Sequence, residues 1–325
     1  MNDVRVLSLL KRSGIFKTLS LEAENDSAQT FLLLSDDVLT VNALITLLEC
    51  KFYCRDVCLS CKECRKVLSG NKVDVVEINP DGERVAVEDM RKNVVNDAYV
   101  AAVESGKKIY VVRNFSELNQ QNQNVLLKTL EEPPENVVIL LTSRSTEGIL
   151  PTVLSRVNKF IVPPRSIDEL KRLLSFFGVE AGDEITRYAA GNLTLAKKIA
   201  EDETFLVKIQ TLVDVFSSVK SSADVVKYIN DKFFTDNDIN ELLFITERIL
   251  RDLLYLKADL EDNVASTAFK GAYADLLDEL DENAIAAMME EVNIAERKIA
   301  ANCNNINVVD CLLLKLAEEK AKCKK

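Results

Sequence analysis

Apolar residues along this 325-residue chain fall into two regimes. In the first half, short runs at Phe31–Leu34, Val73–Ile78, Ile109–Val112, Val137–Leu141 and Phe160–Val162 have the length of buried strands. Between them lie helically spaced patterns at roughly Val41–Glu49, Val87–Ala102 and Glu117–Glu131. Strands alternating with helices predict a parallel sheet covered on both faces. The third pattern has a built-in stop, because Pro133 and Pro134 lack amide donors and restrict the residue before them.

The second half reads differently. All six prolines (Pro80, Pro133, Pro134, Pro151, Pro163, Pro164) lie within the first 164 residues, and after Gly191 the one glycine is Gly271. A long stretch without breakers and rich in Leu, Ala, Glu, Lys and Ile predicts consecutive helices. In Asn240–Lys257, Leu242, Leu243, Ile245, Ile249, Leu250, Leu253, Leu254 and Leu256 recur at helical spacing. A break between an α/β part and an all-α part is expected at Pro163-Pro164, with a softer one near residue 205. The last eight residues, Glu318 to Lys325, read as a charged, frayed tail.

Charge and composition narrow the function. Lys plus Arg number 41 and Asp plus Glu 52, a net charge of −11, so bulk charge does not suit the chain to coating nucleic acid or an anionic membrane. No apolar run reaches the ~18 residues of a membrane span, and the N-terminus lacks the apolar core of a signal peptide. A cytoplasmic location is expected. There is no histidine, which removes Ser-His-Asp and Cys-His catalysis and every histidine-containing metal site.

Five of the eight cysteines, Cys50, Cys54, Cys58, Cys61 and Cys64, fall within 15 residues. Cys58-Leu-Ser-Cys61-Lys-Glu-Cys64 is two consecutive CxxC steps, a spacing that turns three sulfurs toward one ion. One further thiolate, from Cys50 or Cys54, completes a four-cysteine structural zinc site with no open position for catalysis. Disulfides suit a cytosolic chain of this size poorly, and a redox CxxC normally stands without extra thiols. Cys303, Cys311 and Cys323 are dispersed in helical sequence and read as small core or surface residues.

The turn after Phe31–Leu34 is where a nucleotide-binding α/β domain carries GxxxxGK[ST], whose glycines bare the amides that cradle phosphate. Here it reads Asp36-Asp37-Val38-Leu39-Thr40-Val41-Asn42-Ala43, with no glycine and no lysine. After Ile109–Val112, where acidic residues would hold Mg²⁺, stand Arg113 and Asn114. Two elements of one site are missing, so ATP binding by this chain is not expected.

The helix Glu117-Leu-Asn-Gln-Gln-Asn-Gln-Asn-Val-Leu-Leu-Lys-Thr-Leu-Glu-Glu-Pro-Pro134 resembles the NALLKTLEEPP signature of bacterial clamp-loader subunits of DNA polymerase III. Val137–Thr142 resembles that family's sensor 1 strand, and Gly148-Ile-Leu-Pro-Thr-Val-Leu-Ser-Arg-Val157 its LPTILSRC segment. The cysteines stand where the family inserts a zinc finger. The likeness covers about residues 1–200. It implies an α/β AAA+ domain with a parallel sheet and a zinc-finger insertion at 1–164, a small helical lid at 165–205 and an all-α oligomerising collar at 206–325. The dead phosphate turn, and Thr194 near the place of the family's sensor 2 arginine, resemble the subunit that does not hydrolyse ATP. Val157 replaces the usual cysteine, but Arg156 is kept and is expected to act in trans as an arginine finger on a neighbour's ATP. The resemblance favours Cys50 as the fourth ligand of Zn²⁺, beside Cys58, Cys61 and Cys64, because Leu47-Leu48-Glu49-Cys50 is similar to the family's LLC helix end. That spacing is one residue shorter than the family's. The implied partners are the gamma/tau and delta subunits and, through the assembly, the sliding clamp and primed DNA.

Two other functions compete. An active ATPase with a divergent phosphate loop would need Arg113 or a distant lysine to replace the lost groups. A stand-alone zinc-dependent DNA-binding module would need a basic stripe. Arg55, Lys62, Arg65 and Lys66 offer only one cationic turn, which is more often a solvated face.

Overall fold

A computed structural model describes residues 3–25, 29–80, 85–104, 106–229, 231–266 and 269–323. Two helices, α1 (Val4–Leu10) and α2 (Gly14–Glu22), precede strand β1 (Thr30–Leu34). Then come α3 (Val38–Tyr53), α4 (Lys62–Leu68), β2 (Val75–Ile78) and α5 (Val87–Met90). They are followed by β3 (Lys108–Val112), α6 (Gln120–Glu131), β4 (Val137–Ser143), α7 (Pro151–Leu154) and β5 (Asn158–Ile161). The sheet is five-stranded, parallel throughout, in the order β2-β3-β4-β1-β5. Phe31 lies opposite Leu140 on one side and Asn158 on the other, which puts β1 between β4 and β5. The strands β1, β3 and β4 are buried along their whole length, as a sheet covered on both faces requires. One layer of the core is built from Leu32, Tyr110, Val112, Ile139 and Leu141 against Met90, Val94, Leu126 and Leu130.

Each expected strand is present, within two residues at either end. The helix expected over Val87–Ala102 is not one regular α-helix. Four α-helical residues pass into a π-helical turn, Arg91–Asn96, and a 3₁₀ turn, Asp97–Tyr99. Asp97 ends the element with its side chain engaged across to β3, accepting from the Tyr110 hydroxyl at 2.7 Å and pairing with Lys108 at 2.8 Å.

After β5 the described residues hold helices and no strand: α8 (Ile167–Phe176), α9 (Asp183–Tyr188), α10 (Leu193–Glu201), α11 (Phe205–Ser218), α12 (Ser222–Val225) and α13 (Lys232–Asp236). They continue with α14 (Ile239–Lys257), α15 (Ala274–Glu279), α16 (Glu282–Ala300) and α17 (Asn305–Cys323). By their contacts, one compact unit comprises Met1–Val179 and Gly191–Lys197, the other Glu180–Ala190 and Lys198–Lys325. In the helical unit α14 buries Leu242, Leu243, Ile245, Ile249, Leu250 and Leu253, the apolar stripe of the sequence. The expected frayed tail is corrected. Helix α17 runs to Cys323, and within it Lys320 is fully buried, its ammonium donating to the Phe216 carbonyl and pairing with Glu279, both at 2.6 Å. Lys324 and Lys325 lie outside the described residues. No helix among the described residues is long and apolar enough to cross a membrane.

Gly191 is one position where backbone freedom is indispensable. Its φ is +86°, and a Cβ there would stand 2.5 Å from Pro164 Cβ and 2.7 Å from both N and O of Arg165. Its carbonyl also accepts from the Arg165 amide at 2.8 Å. Gly191→Ala should therefore destabilise the α/β unit by about 2 kcal/mol or more, from left-handed strain plus overpacking. A lower urea midpoint for that unit at unchanged slope is the expected result.

Candidate functional site

The α/β unit carries three places where chemistry concentrates. The first is the cysteine module. Helix α3 ends at Tyr53, with Cys54 as its extended C-cap, and α4 begins with Cys61 as its N-cap. Between them the chain is tightly wound: Val57 and Leu59, on either side of Cys58, have φ of 48° and 58°. Such left-handed side-chain-bearing residues cost about 1–2 kcal/mol each and persist where the surroundings dictate them. The winding gathers Cys54, Cys58, Cys61 and Cys64 so that all four sulfurs lie within 4.8 Å of one another.

The residues fit a tetrahedral thiolate-bound ion. Metal–sulfur bonds of about 2.3 Å in a tetrahedron set sulfurs about 3.8 Å apart, and Cys54 and Cys58 Sγ are 3.8 Å apart. The amides of Cys61 and Cys64 donate to the sulfurs of Cys58 and Cys61 at 3.3 and 3.4 Å, which steadies thiolate charge. The Ser60 amide and hydroxyl, with the Cys61 amide, hold the Cys58 thiol down at about 6. Burial pushes the Cys64 thiol up, and so does the nearby Cys50.

The structure places Cys50 one helical turn before Cys54, buried and outside the four-sulfur group, although its thiol is hydrogen-bonded with Cys64. Its own thiol is pushed up to about 12, chiefly by burial. Geometry thus selects Cys54, where the family resemblance had favoured Cys50. Behind the module, Lys72 is almost fully buried; it pairs with Glu63 of α4 at 2.7 Å and Glu104 at 3.3 Å and lies 4.4 Å from the Tyr53 ring centroid. Cys303 and Cys311 are exposed and Cys323 half-buried, which agrees with the surface reading.

The second place is the turn after β1. Asp36 is exposed, but Asp37 is buried and caps α3, accepting from the Thr40 amide at 3.2 Å. It also accepts from the amides of Leu193 and Thr194 and from the Thr194 hydroxyl, at 2.9, 3.1 and 2.8 Å. The Thr194 hydroxyl oxygen in turn accepts from the Leu39 amide at 2.7 Å. Arg113, at the end of β3, is held by Asn42 and by Glu77. These residues line two adjoining cavities, of about 240 Å³ at the C-terminal ends of β1, β3 and β4 and about 470 Å³ toward α4. Glu49, on the wall of the larger one, is pushed up to about 8 by burial, with Glu77 adding and Arg113 opposing.

The third place is Arg156, at the opposite edge of the sheet. Its carbonyl accepts from the hydroxyl of Thr30, the first residue of β1, whereas the phosphate-type turn follows the last. Its guanidinium forks onto Glu131 with Nε and Nη2 both at 3.0 Å, and Nη1 donates to the Thr152 carbonyl at 2.7 Å. The side chain remains 30 % exposed. Buried Gln123 of α6 braces the segment leading to it, donating to the Leu118 and Gly148 carbonyls at 2.9 and 2.8 Å and accepting from the Leu150 amide at 2.9 Å.

The family model described as "DNA polymerase III, delta subunit" matches residues 12–166. The DNA polymerase III subunit delta' of Bacillus subtilis is 24% identical over 297 residues, 84% of this chain and 85% of that protein. The chain is thus similar over most of its length to a delta' subunit of DNA polymerase III, and the family model spans just under half of it. The DNA polymerase III subunit tau of Escherichia coli is 34% identical over 117 residues, 36% of this chain but only 18% of that longer protein. A solved gamma-subunit-related protein of Thermotoga maritima aligns over 94% of this chain and 99% of that one, at 20% identity and a TM-score of 0.44.

Three residues at these places were not singled out from the sequence. Glu131 was visible only as part of the LEEPP helix end, Gln123 only as one amide in a polar run, and Asp37 only as a charge that would repel phosphate. Their roles come from partners 25 to 157 residues away. For the cysteine module the expected outcome is one divalent ion per freshly reduced chain. Cys54→Ser and Cys58→Ser should each lower it severalfold, and Cys50→Ser should retain it. Elemental analysis after gel filtration checks this, and metal loss from Cys50→Ser with retention in Cys54→Ser would reverse the assignment.

Proposed function

We propose that this chain is the delta-prime-type, non-hydrolysing subunit of a DNA polymerase III clamp loader. It binds no ATP itself and presents Arg156 to the γ-phosphate of a neighbouring gamma/tau subunit. The observation that carries this reading is the separation of the two sites. Arg156 lies at the N-terminal edge of the sheet and the phosphate-type turn at the C-terminal edge, so the guanidinium cannot serve its own chain. The turn itself has no lysine for phosphate and carries a carboxylate that already takes the amides. A planar guanidinium fork suits an anionic γ-phosphate whose charge grows in the transition state. The exposed pair with Glu131 is worth about 0–1 kcal/mol, so the fork is readily traded for a phosphate.

In this reading the thiols of Cys54, Cys58, Cys61 and Cys64 hold a structural Zn²⁺, which crosslinks the chain between α3 and α4 and takes no part in a reaction. Residues 165–205 form the lid, and 206–325 the collar that joins the chain to gamma/tau and delta subunits. Sliding clamp and primed DNA are met through that assembly, in the cytoplasm.

Two measurements test the proposal. Calorimetric titration of the isolated chain with ATP–Mg²⁺ should give no binding in the micromolar range. In a reconstituted clamp loader, Arg156→Ala should leave assembly intact and lower DNA- and clamp-stimulated ATP hydrolysis by about tenfold. That is less than the 10³–10⁵ of a single-site arginine finger, because several sites share the work. Arg156→Lys should rescue poorly. Hydrolysis and clamp loading at the unmodified rate in Arg156→Ala would make Arg156 structural.

A further inference from the structure

The β1–α3 turn does more than lack a phosphate loop. Four donors converge on the Asp37 carboxylate: the Thr40 amide near the start of α3, the Leu193 and Thr194 amides at the start of α10, and the Thr194 hydroxyl. The carboxylate is 5 % exposed, while Asp36 beside it faces solvent. Both helices are long enough to carry an N-terminal field, with 16 and 9 residues. Amides at helix N-termini are the donors that proteins use for anions, and bonds to an ionised acceptor are about twice as strong as neutral ones. The surroundings are shaped for this contact. Gly191, at φ +86°, lets the chain pass against Pro164 and Arg165 immediately before α10. Asn192 takes the Leu195 amide at 2.9 Å, leaving the Leu193 and Thr194 amides to Asp37.

We propose that Asp37 is an internal substitute for phosphate. Its carboxylate fills an anion cradle made by the starts of α3 and α10, closes that cradle to free phosphate, and holds the start of α10 against the turn without nucleotide. The inference rests on the reading above, that this chain works without ATP, and goes further by assigning the residue responsible. An aspartate reaches because its carboxyl is one bond from the helix-capping Cβ. Asparagine at the same place keeps one acceptor oxygen but puts an amide donor where the second must accept from Leu193.

Hydrogen exchange on the full-length chain, read at the amides of Leu193 and Thr194, tests this, with inorganic phosphate as the probe at constant ionic strength. In the unmodified protein both amides should be protected, and phosphate should change nothing. In Asp37→Ala their protection should fall at least about tenfold while amides of β1, β3 and β4 stay protected, because a local opening is made easier. Phosphate should then restore part of the protection and bind with roughly millimolar affinity. Asp37→Asn should lie between the two and takes the place of Asp37→Ala if that variant does not fold. Protection within twofold of the unmodified protein, or a loss that phosphate does not reverse, would overturn the proposal. ATP affinity of the unmodified chain is a separate readout. Micromolar binding there would sink the non-hydrolysing reading, whereas the exchange result in the Asp37 variants judges the cradle alone.

Discussion

The parallel sheet imposes the geography of the α/β unit. With every strand running the same way, all C-terminal ends meet at one edge and all N-terminal ends at the other. Turns that follow β1, β3 and β4 therefore gather Asp37, Arg113 and Arg144 at one rim. The segment that leads into β5 delivers Arg156 to the other rim, where Thr30 takes its carbonyl. No local rearrangement of side chains can bring Arg156 to this chain's own turn, because the length of β1 stands between them.

The cysteine module is held to that sheet by packing as well as by its own thiols. Lys72 stands at its base, with Glu63 of α4 and Glu104 as counter-ions and the Tyr53 ring beneath it. A buried lysine with two carboxylates at 2.7 and 3.3 Å is costly to leave unpaired, so the pairing dictates where α4 sits relative to β2. The left-handed residues Val57 and Leu59 then bring Cys58 round to the other three sulfurs.

The helical unit solves a similar problem with buried polar groups. Asp252 of α14 takes the amides of Ala265 and Ser266 at 2.7 and 2.9 Å and lies within 3.4 Å of the Tyr273 hydroxyl. The Ser266 hydroxyl meets that of Tyr188. Burial pushes the carboxyl of Asp252 up, and the two amides offset only part of that rise. Such a satisfied network costs little, whereas losing one partner leaves a buried charge exposed to the full desolvation penalty. Lys320 in α17 works the same way from the chain's end, with Glu279 and the Phe216 carbonyl.

By itself the sequence determined what depends on local pattern. Strand positions followed from apolar runs, the end of α6 from Pro133-Pro134, the helical second half from the loss of breakers, and a metal-type module from two CxxC steps. The want of a phosphate lysine was equally plain, since it is a matter of residue type in one short turn. What only the tertiary structure decided were pairings between distant segments. Five cysteines in a row of fifteen residues do not say which four converge. Cys54 joins them because α3 ends at Tyr53 and frees it to turn, while Cys50 stays inside the helix against the core. Asp36 and Asp37 are equivalent as letters, and the capping of α3 and the contact with the start of α10 distinguish them. The burial of Lys320 is likewise tied to distant partners, Glu279 and the Phe216 carbonyl. Propensity and spacing act over a few residues, and contacts made across a hundred residues are set by how the packed elements meet.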